Sequence, residues 1–261
     1  MRVAVAGGTG MVGCHVVAAL AERGVTPVPL ARSLGVDLVT GQGLEVALSG
    51  VEVVVDVSNV TTTSRRTSVA FFTASTSRLL EAGRRAGVRH HVALSIVGVD
   101  RVDSGYYAGK RAQEELVLRN GPDCVPGTVL RATQFHEFAG QVLDRSRGPV
   151  AVVPRMRVQP VAAREVAAAL ADRALRAPVG LAAELAGPVE HELVDLARRL
   201  LQARGSRRAL PPVRLPGADG RAMVGGALLP TRPGPRGSQT FDAWLTAQQE
   251  AAAASPAEAG R

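Results

Sequence analysis

Three observations predict an α/β fold: a Rossmann-type, doubly wound parallel sheet with a smaller C-terminal cap. Strand and helix signals alternate from the first residue to about residue 133, the connections between strands have crossover length, and a glycine-rich turn joins the first strand to the first helix. Residues 2–6 (RVAVA) are a short, largely β-branched run closed by Gly7-Gly8, the signature of a buried strand. Residues 11–23 show helical periodicity and stop at Gly24. Residues 26–31 read as a second strand, made irregular by Pro27 and Pro29. A short helix at 43–49 leads to VEVVVDV at 51–57, the strongest strand signal in the chain. A long helix at 66–86 ends at Gly87, a strand follows at 89–97, then a helix at 105–119 and a strand at 127–133.

Beyond residue 133 the alternation loses its regularity. A helix is expected near 135–145, strands near 150–153 and 158–162, a helix at 164–176, a strand near 182–186 and a helix at 190–204. Residues 205–238 are rich in Gly, Pro and Arg and carry no long periodic stretch, and a last helix spans 240–253. The division expected is a nucleotide-binding domain at 1–133, an interleaved cap at 134–253 and a frayed tail at 254–261. No internal repeat is present in the sequence.

Composition narrows the function classes. Charged residues make up 21% of the 261 and the AVILMFWYC set 46%, which excludes a wholly disordered chain. Two cysteines, Cys14 and Cys124, exclude a disulfide framework and a cysteine-based zinc finger; Cys14, on the first helix, reads as buried packing. No apolar run approaches the roughly 18 residues of a membrane span, and the N-terminal apolar stretch is too short for a signal peptide, so a cytoplasmic protein without a membrane partner is expected. The net charge of +8 raises the question of nucleic acid, but 30 of the 31 basic residues are arginines spread along the whole chain. Lys, Asn, Ile, Tyr and Phe are scarce while Ala, Gly, Arg, Val and Pro abound. That pattern is a bias toward GC-rich codons, and no nucleic-acid partner is expected.

The same bias makes the surviving scarce residues informative. The only lysine is Lys110, the only asparagines are Asn59 and Asn120, and the only tyrosines are Tyr106 and Tyr107. Asn120, before Gly121 at the end of a helical pattern, is explained by helix termination.

Gly7, Gly10 and Gly13 repeat as G-x-x-G-x-x-G across the first strand–helix junction. Such glycines permit a tight turn, close approach of backbone to a diphosphate, and packing of helix on strand, while the helix N-terminus aims free N–H groups at the anion. Thr9, Met11 and Val12 complete this expected cofactor-binding turn. Sites for NAD place an acid at the end of the second strand, on the ribose 2′-OH. Here that position reads Ala31-Arg32-Ser33, and the nearest acid is Asp37. Arg32 and Ser33 suit a 2′-phosphate, so NADP is expected over NAD. Ser58 and Asn59 follow the third strand, where ligands meet the carboxyl edge of such sheets; for Asn59 a contact to the cofactor and a plain turn residue are equally good readings.

Tyr106 stands four residues before Lys110 at the start of a helix, so the two share a face. An ammonium beside a phenol favours the phenolate, so a lowered Tyr106 pKa and proton transfer near neutral pH are expected. Ser95, at the end of the preceding strand, is placed to donate a hydrogen bond to a substrate carbonyl. The alternative is a pocket-lining Tyr106 and a surface Lys110. Gln134, Phe135, His136 and Phe138 follow the fifth strand; they read either as a substrate wall or as the packed start of a helix. His136-Glu137 and His191-Glu192 lack the second histidine of a zinc-protease helix, and no metal is expected.

Gly7-x-x-Gly10-x-x-Gly13 with Tyr106-x-x-x-Lys110 resembles the short-chain dehydrogenase/reductase superfamily. The run Leu94-Ser95-Ile96-Val97-Gly98-Val99-Asp100-Arg101, with Leu130-Arg131-Ala132-Thr133-Gln134-Phe135-His136 and Gln159-Pro160-Val161, is similar to its atypical, NmrA-like NAD(P)H-binding branch; the resemblance covers about residues 1–250 and is weakest at 205–238. It implies Tyr106 as acid/base, Lys110 on the nicotinamide ribose and tuning the tyrosine, Ser95 orienting the carbonyl, and a homodimer through the helices at 66–86 and 105–119. Adjacent Phe71 and Phe72 on the first of these cannot face the same side, which leaves one for a partner. Two departures stand out: Ser95 precedes Tyr106 by only eleven residues, and Gly41-Gln42-Gly43 replaces an acid found near the adenine. Some members of the branch only sense the cofactor. The function expected is therefore hydride transfer to or from a small carbonyl, enone or quinone, against a non-catalytic NADP sensor or a cofactor-retaining epimerase or isomerase.

Overall fold

Short β-branched runs that alternate with amphipathic helices leave the chain little choice but to stack its strands in parallel and cover both sheet faces. In the computed structural model, which describes residues 1–254, the first half runs β1 (Arg2–Ala6), α1 (Met11–Glu22), β2 (Thr26–Leu30), α2 (Leu44–Ala47), β3 (Val53–Asp56), α3 (Arg65–Ala86), β4 (His90–Ile96), α4 (Gly105–Val117) and β5 (Gly127–Ala132). The second half runs α5 (Phe138–Asp144), β6 (Val153–Pro154), β7 (Arg157–Val158), α6 (Ala163–Ala174), β8 (Gly180–Leu181), β9 (His191–Glu192), α7 (Leu193–Ala203), β10 (Pro212–Val213), α8 (Gly217–Val224) and α9 (Phe241–Ala254). Of the tail expected at 254–261, residues 255–261 lie outside the described residues.

The first of two compact units comprises Met1–Ala132, Ala163–Leu185 and Arg232–Pro235. Its six-stranded sheet has the order β2-β1-β3-β4-β5-β8, and every pairing is parallel. The order reverses beside β1, the switch point at which such sheets open a crevice at their carboxyl edge. Register brings the strand ends into line there: Ala6 pairs with both Leu30 and Asp56, Asp56 with Ala93, and Ile96 with Ala132. Ala4, Ala6, Leu30 and Val54 pack with Leu79 of α3 in one buried cluster. Strand alternation turns Val3 and Val5 to the other face, where α1 and α6 lie together. The helix expected at 164–176 is thus α6 of this first unit.

The second unit comprises Thr133–Ala162, Ala186–Thr231 and the described residues from Arg236 onward. It is built on α5, α7, α8 and α9 with two small sheets, β7–β9 antiparallel and β6–β10 parallel. On α7 the residues Leu193, Val194, Leu196, Ala197, Leu200 and Leu201 are buried, a stripe at 3.6-residue period.

Several expectations are corrected. Cys14 is exposed: the buried positions of α1 are Val12, Gly13, Val16, Ala19 and Leu20, and Cys14 falls off that stripe. The helix expected from 135 begins at Phe138, because Phe135 bridges to Val161 as extended chain. The strand expected at 182–186 is Gly180–Leu181, with Leu185 making only a single bridge to Ala132. Residues 205–238, which carry no long periodic stretch, hold only the two-residue β10 and the eight-residue α8. On α3, Phe72 is fully buried and Phe71 half-buried. No helix among the described residues is long and apolar enough to cross a membrane.

Candidate active site

The carboxyl edge of the sheet in the first unit gathers most of the polar residues singled out by the sequence. The turn after β1 is tied to its neighbours on both sides. Gly7 N–H donates to Leu30 O at the end of β2 (3.0 Å), and Gly7, at φ +78°, lies so close to Ser58 beyond β3 that an added Cβ would stand 3.0 Å from the Ser58 Cα. A Cβ on Gly13 would overlap the carbonyl oxygen of Gly7, so only glycine lets α1 start this close to the turn. The first intrahelical bond of α1 runs from Cys14 N–H to Gly10 O at 2.9 Å, which leaves the amides of Met11, Val12 and Gly13 ahead of it; the first turn carries no acid to compete for them. This is a cradle for a phosphate anion at a helix N-terminus.

At the end of β2, Arg32 opens a short 3₁₀ turn (Arg32–Leu34), and both Arg32 and Ser33 are exposed. Asp37, the nearest acid, is spent locally. Its Oδ1 accepts from Val39 N–H (2.7 Å) and Thr40 N–H (2.9 Å), and these bonds hold the carboxyl below the usual range, with a smaller contribution from the charge of Arg32. The departure at 41–43 has a steric cause, since Gly43 is left-handed and a Cβ there would overlap Gly35 O.

Beyond β3, Ser58 is buried and its Oγ has no hydrogen-bond partner, and the same holds for Ser95 Oγ in β4. Two orphaned hydroxyls on neighbouring strand ends of one sheet, beside a glycine cradle, are what a bound dinucleotide and its substrate would satisfy. Asn59 is exposed and accepts, through Oδ1, a hydrogen bond from Tyr106 Oη at 2.7 Å. Tyr106 sits in the first turn of α4, its carbonyl held by Ser68 Oγ at 3.0 Å and its ring edge-on to Phe72 with centroids 5.7 Å apart.

Lys110 shares the helix with Tyr106 but not its surroundings. Its Nζ is buried, donates to Leu94 O (2.5 Å) and to Gln113 Oε1, and lies 4.6 Å from the centroid of the Phe72 ring. Gln113 in turn donates from Nε2 to Asp56 Oδ2 at 2.8 Å, and Asp56 Oδ1 accepts from Ser58 N–H at 2.9 Å. Burial lowers the Lys110 pKa to about 8, opposed by the charges of Asp56 and Glu114. The Tyr106 phenol is pushed up from its ordinary value by burial and by Tyr107, not down by Lys110; Tyr107 itself is pushed up to about 12 by burial. This reverses the expected direction for Tyr106. The alternative of a surface lysine fails as well, because the one lysine of the chain is buried. Asp56, Gln113 and Phe72 were missed in the sequence; Gln113, three residues after Lys110 on the same helix, was the signal that could have found them.

At the carboxyl end of β5, Arg131 forms a bidentate pair with Glu114 (Nε to Oε1 2.9 Å, Nη2 to Oε2 2.7 Å) and reaches Asp100 at 3.1 Å, which clamps the ends of β4 and β5 to α4. The remaining expected residues belong to the second unit. Gln134 is buried with both side-chain atoms unpartnered, while its carbonyl accepts from Val161 N–H at 2.8 Å. His136 is buried against Phe241 and Trp244, with Nε2 3.1 Å from Gln239 O, and so packs as core; Phe135 and Phe138 are half-buried. No group of three or more His, Cys, Asp or Glu among the described residues could hold a metal.

Comparison with protein-family models and with curated proteins finds no match. Solved structures do match along nearly the whole chain. A short-chain dehydrogenase/reductase superfamily protein from Agrobacterium tumefaciens with bound NAD superposes at a TM-score of 0.69, with 20% identity over 97% of this chain and 98% of that one. This chain shares the Rossmann-type fold of that protein. MoeE5 in complex with UDP-glucose and NAD shares it at a TM-score of 0.73, 19% identity and coverage of 98% and 100%. An NADPH-dependent quinone oxidoreductase from Escherichia coli shares it at 0.62, 18% identity and coverage of 94% and 99%. In this fold the glycine turn, the strand ends of β2–β4 and the first turns of α4 face the crevice at the switch point of the sheet.

Proposed function

We propose that the protein is an NADP-dependent oxidoreductase of the atypical, NmrA-like branch of the short-chain dehydrogenase/reductases, reducing a small organic carbonyl, enone or quinone. The observation that carries this is Tyr106: a protonated phenol in the first turn of α4, on the sheet edge that also holds the glycine cradle and the orphaned Ser58 and Ser95 hydroxyls.

The cradle fits a dinucleotide, with the amides of Met11, Val12 and Gly13 for the diphosphate and Ser58 for a polar group beyond it. Arg32 and Ser33 favour a 2′-phosphate, and the one acid nearby, Asp37, is turned to its own loop. The reduced nicotinamide supplies hydride when bound. Ser95 Oγ donates to the substrate carbonyl, which fixes its orientation and stabilises negative charge as it develops on oxygen. Tyr106 Oη supplies the proton. A phenol whose ionisation is pushed upward stays protonated at neutral pH, so it serves reduction better than oxidation.

The test is oxidation of NADPH, followed by the nicotinamide absorbance, with a panel of aldehydes, ketones, enones and quinones. Turnover that Tyr106→Phe lowers supports the reading. One observation favours the sensor reading: Lys110 is engaged by Leu94 and Gln113 rather than by Tyr106. Tight NADPH binding with no turnover on any member of the panel would establish the sensor in place of the enzyme.

A further inference from the structure

We infer that Asn59 is the positioning residue for the Tyr106 proton, accepting from the phenol before transfer and donating to the phenolate after it. The inference deepens the reductase reading and rests on it. Its physical basis is the exchange of partners around Tyr106. Spacing on α4 assigns the tuning of this phenol to Lys110, but the Lys110 amine is held in the interior by Leu94 O, Gln113 Oε1 and the Phe72 ring. The group in direct contact with Tyr106 Oη is Asn59 Oδ1, at 2.7 Å.

The other charged groups around the start of α4 pair with one another: Asp103 with Arg65 at 3.0 Å and with Arg111. Tyr107, the titratable neighbour on the same turn, is neutral and edge-on, its ring centroid 6.2 Å away. Asn59 is also one of only two asparagines in a chain that has lost nearly all of that residue.

A carboxamide can do what a carboxylate or an ammonium cannot. Its oxygen accepts from a neutral phenol and its Nδ2–H donates to a phenolate, and rotation about one side-chain bond exchanges them. Asn59 is exposed, so water can take up whichever end of the amide the phenol leaves. In the transfer the Tyr106 O–H bond breaks and the O–H bond of the product alcohol or hydroquinone forms. Asn59 then turns its N–H to the phenolate until solvent water returns a proton to Oη. Hydride and proton together complete the reduction, so no further reactant is needed.

The two tyrosines of the chain make the test clean. In a Tyr107→Phe background labelled with 3-fluorotyrosine, one ¹⁹F resonance reports Tyr106 alone, with no ligand and no turnover required. Asn59→Leu, which abolishes the contact, is expected to move that resonance. Asn59→Asp, isosteric but without a donor and with a charge of its own, is expected to raise the titration midpoint and to lower kcat by about tenfold or more. Asn59→Gln, which keeps both amide functions, is expected to recover part of the kcat lost in Asn59→Asp. A resonance and midpoint indifferent to all three substitutions would overturn the role of Asn59. Failure of the reductase reading is a different result: no turnover in the unsubstituted protein, with the resonance still responding to Asn59.

Discussion

Gln113 donates its side-chain N–H to the fully buried carboxylate of Asp56 at 2.8 Å. The other end of the same amide accepts from Lys110 Nζ, so one glutamine joins an interior anion to an interior cation that have no direct bond to each other. A buried charge is tolerated only when its hydrogen-bonding capacity is met, and the Lys110 ammonium meets it with Gln113, Leu94 O and an aromatic face. The carboxyl ends of β3 and β4 and the middle of α4 are thereby fixed beside the candidate cofactor site, without spending a surface charge.

That arrangement has a pH signature. Lys110 titrates near 10.5 when unfolded and near 8 when folded, because burial disfavours its charge. Between those values the unfolded chain binds more protons than the folded one, so stability rises with pH through the window and the gain is absent below about 8. Kept below pH 10, where unfolded phenols begin to ionise, the gain is on the order of 2 kcal/mol. Urea unfolding of the wild type at pH 8 and at about pH 9.5 should show it, and Lys110→Met should not. A wild-type stability that falls across this window would refute the interior placement of Lys110.

Cofactor choice is expected to depend on Arg32, exposed at the end of β2 with Asp37 folded back on its own loop. NADPH should bind at least several-fold more tightly than NADH, and Arg32→Ala should shrink the difference by weakening NADPH alone. Equal affinities in the unsubstituted protein, read by fluorescence quenching of either cofactor, would defeat the assignment.

Gln134 separates two costs that usually travel together. Both atoms of its carboxamide are buried and unpartnered, a penalty of roughly 1–3 kcal/mol for the free protein. Gln134→Met has nearly the same volume and removes the penalty, so it should raise the unfolding midpoint. If the carboxamide is kept to meet a substrate, the same variant should raise KM with kcat less affected. A lower midpoint with unchanged KM would make Gln134 structural.

What the sequence disclosed, and what it withheld, follows from how local each signal is. The β1–glycine–α1 junction and the sheet through β5 were legible because strand runs, helix periods and glycine spacing are properties of neighbouring residues. β8 was misplaced because two residues carry no period of their own and pair only where β5 offers Thr128 and Val129. Cys14 illustrates a stripe mis-set by one position. The i, i+4 spacing correctly set Tyr106 and Lys110 on one helix, but says nothing of where long side chains end. Tyr106 reaches out to Asn59 while Lys110 turns in to Leu94, and the direction was fixed by Asp56 and Gln113, 54 and 3 residues away in sequence.

The assignment of chemistry rests finally on one hydroxyl. Tyr106→Phe keeps the ring that packs edge-on against Phe72 and loses only Oη and its bond to Asn59, so the variant should fold and bind NADPH nearly as well as the wild type. Turnover should fall by roughly 10²–10⁴-fold, the usual worth of a general acid. Tyr107→Phe is the control: its phenol is also pushed up by burial, but it lies about 100° further around the helix and should matter far less. Lys110→Ala should act differently from both, because it leaves Gln113 Oε1 and Leu94 O without their donor and loosens α4 against β4; stability and cofactor affinity should fall together with turnover. The pH profile adds a further discriminator. Because the Tyr106 phenol is held protonated, kcat for reduction should stay flat through neutral pH, with no basic limb from Tyr106 below its ordinary value of 10. Loss of activity in that range would implicate Lys110, near 8, and a Tyr106→Phe protein with undiminished turnover would move the proton source to water.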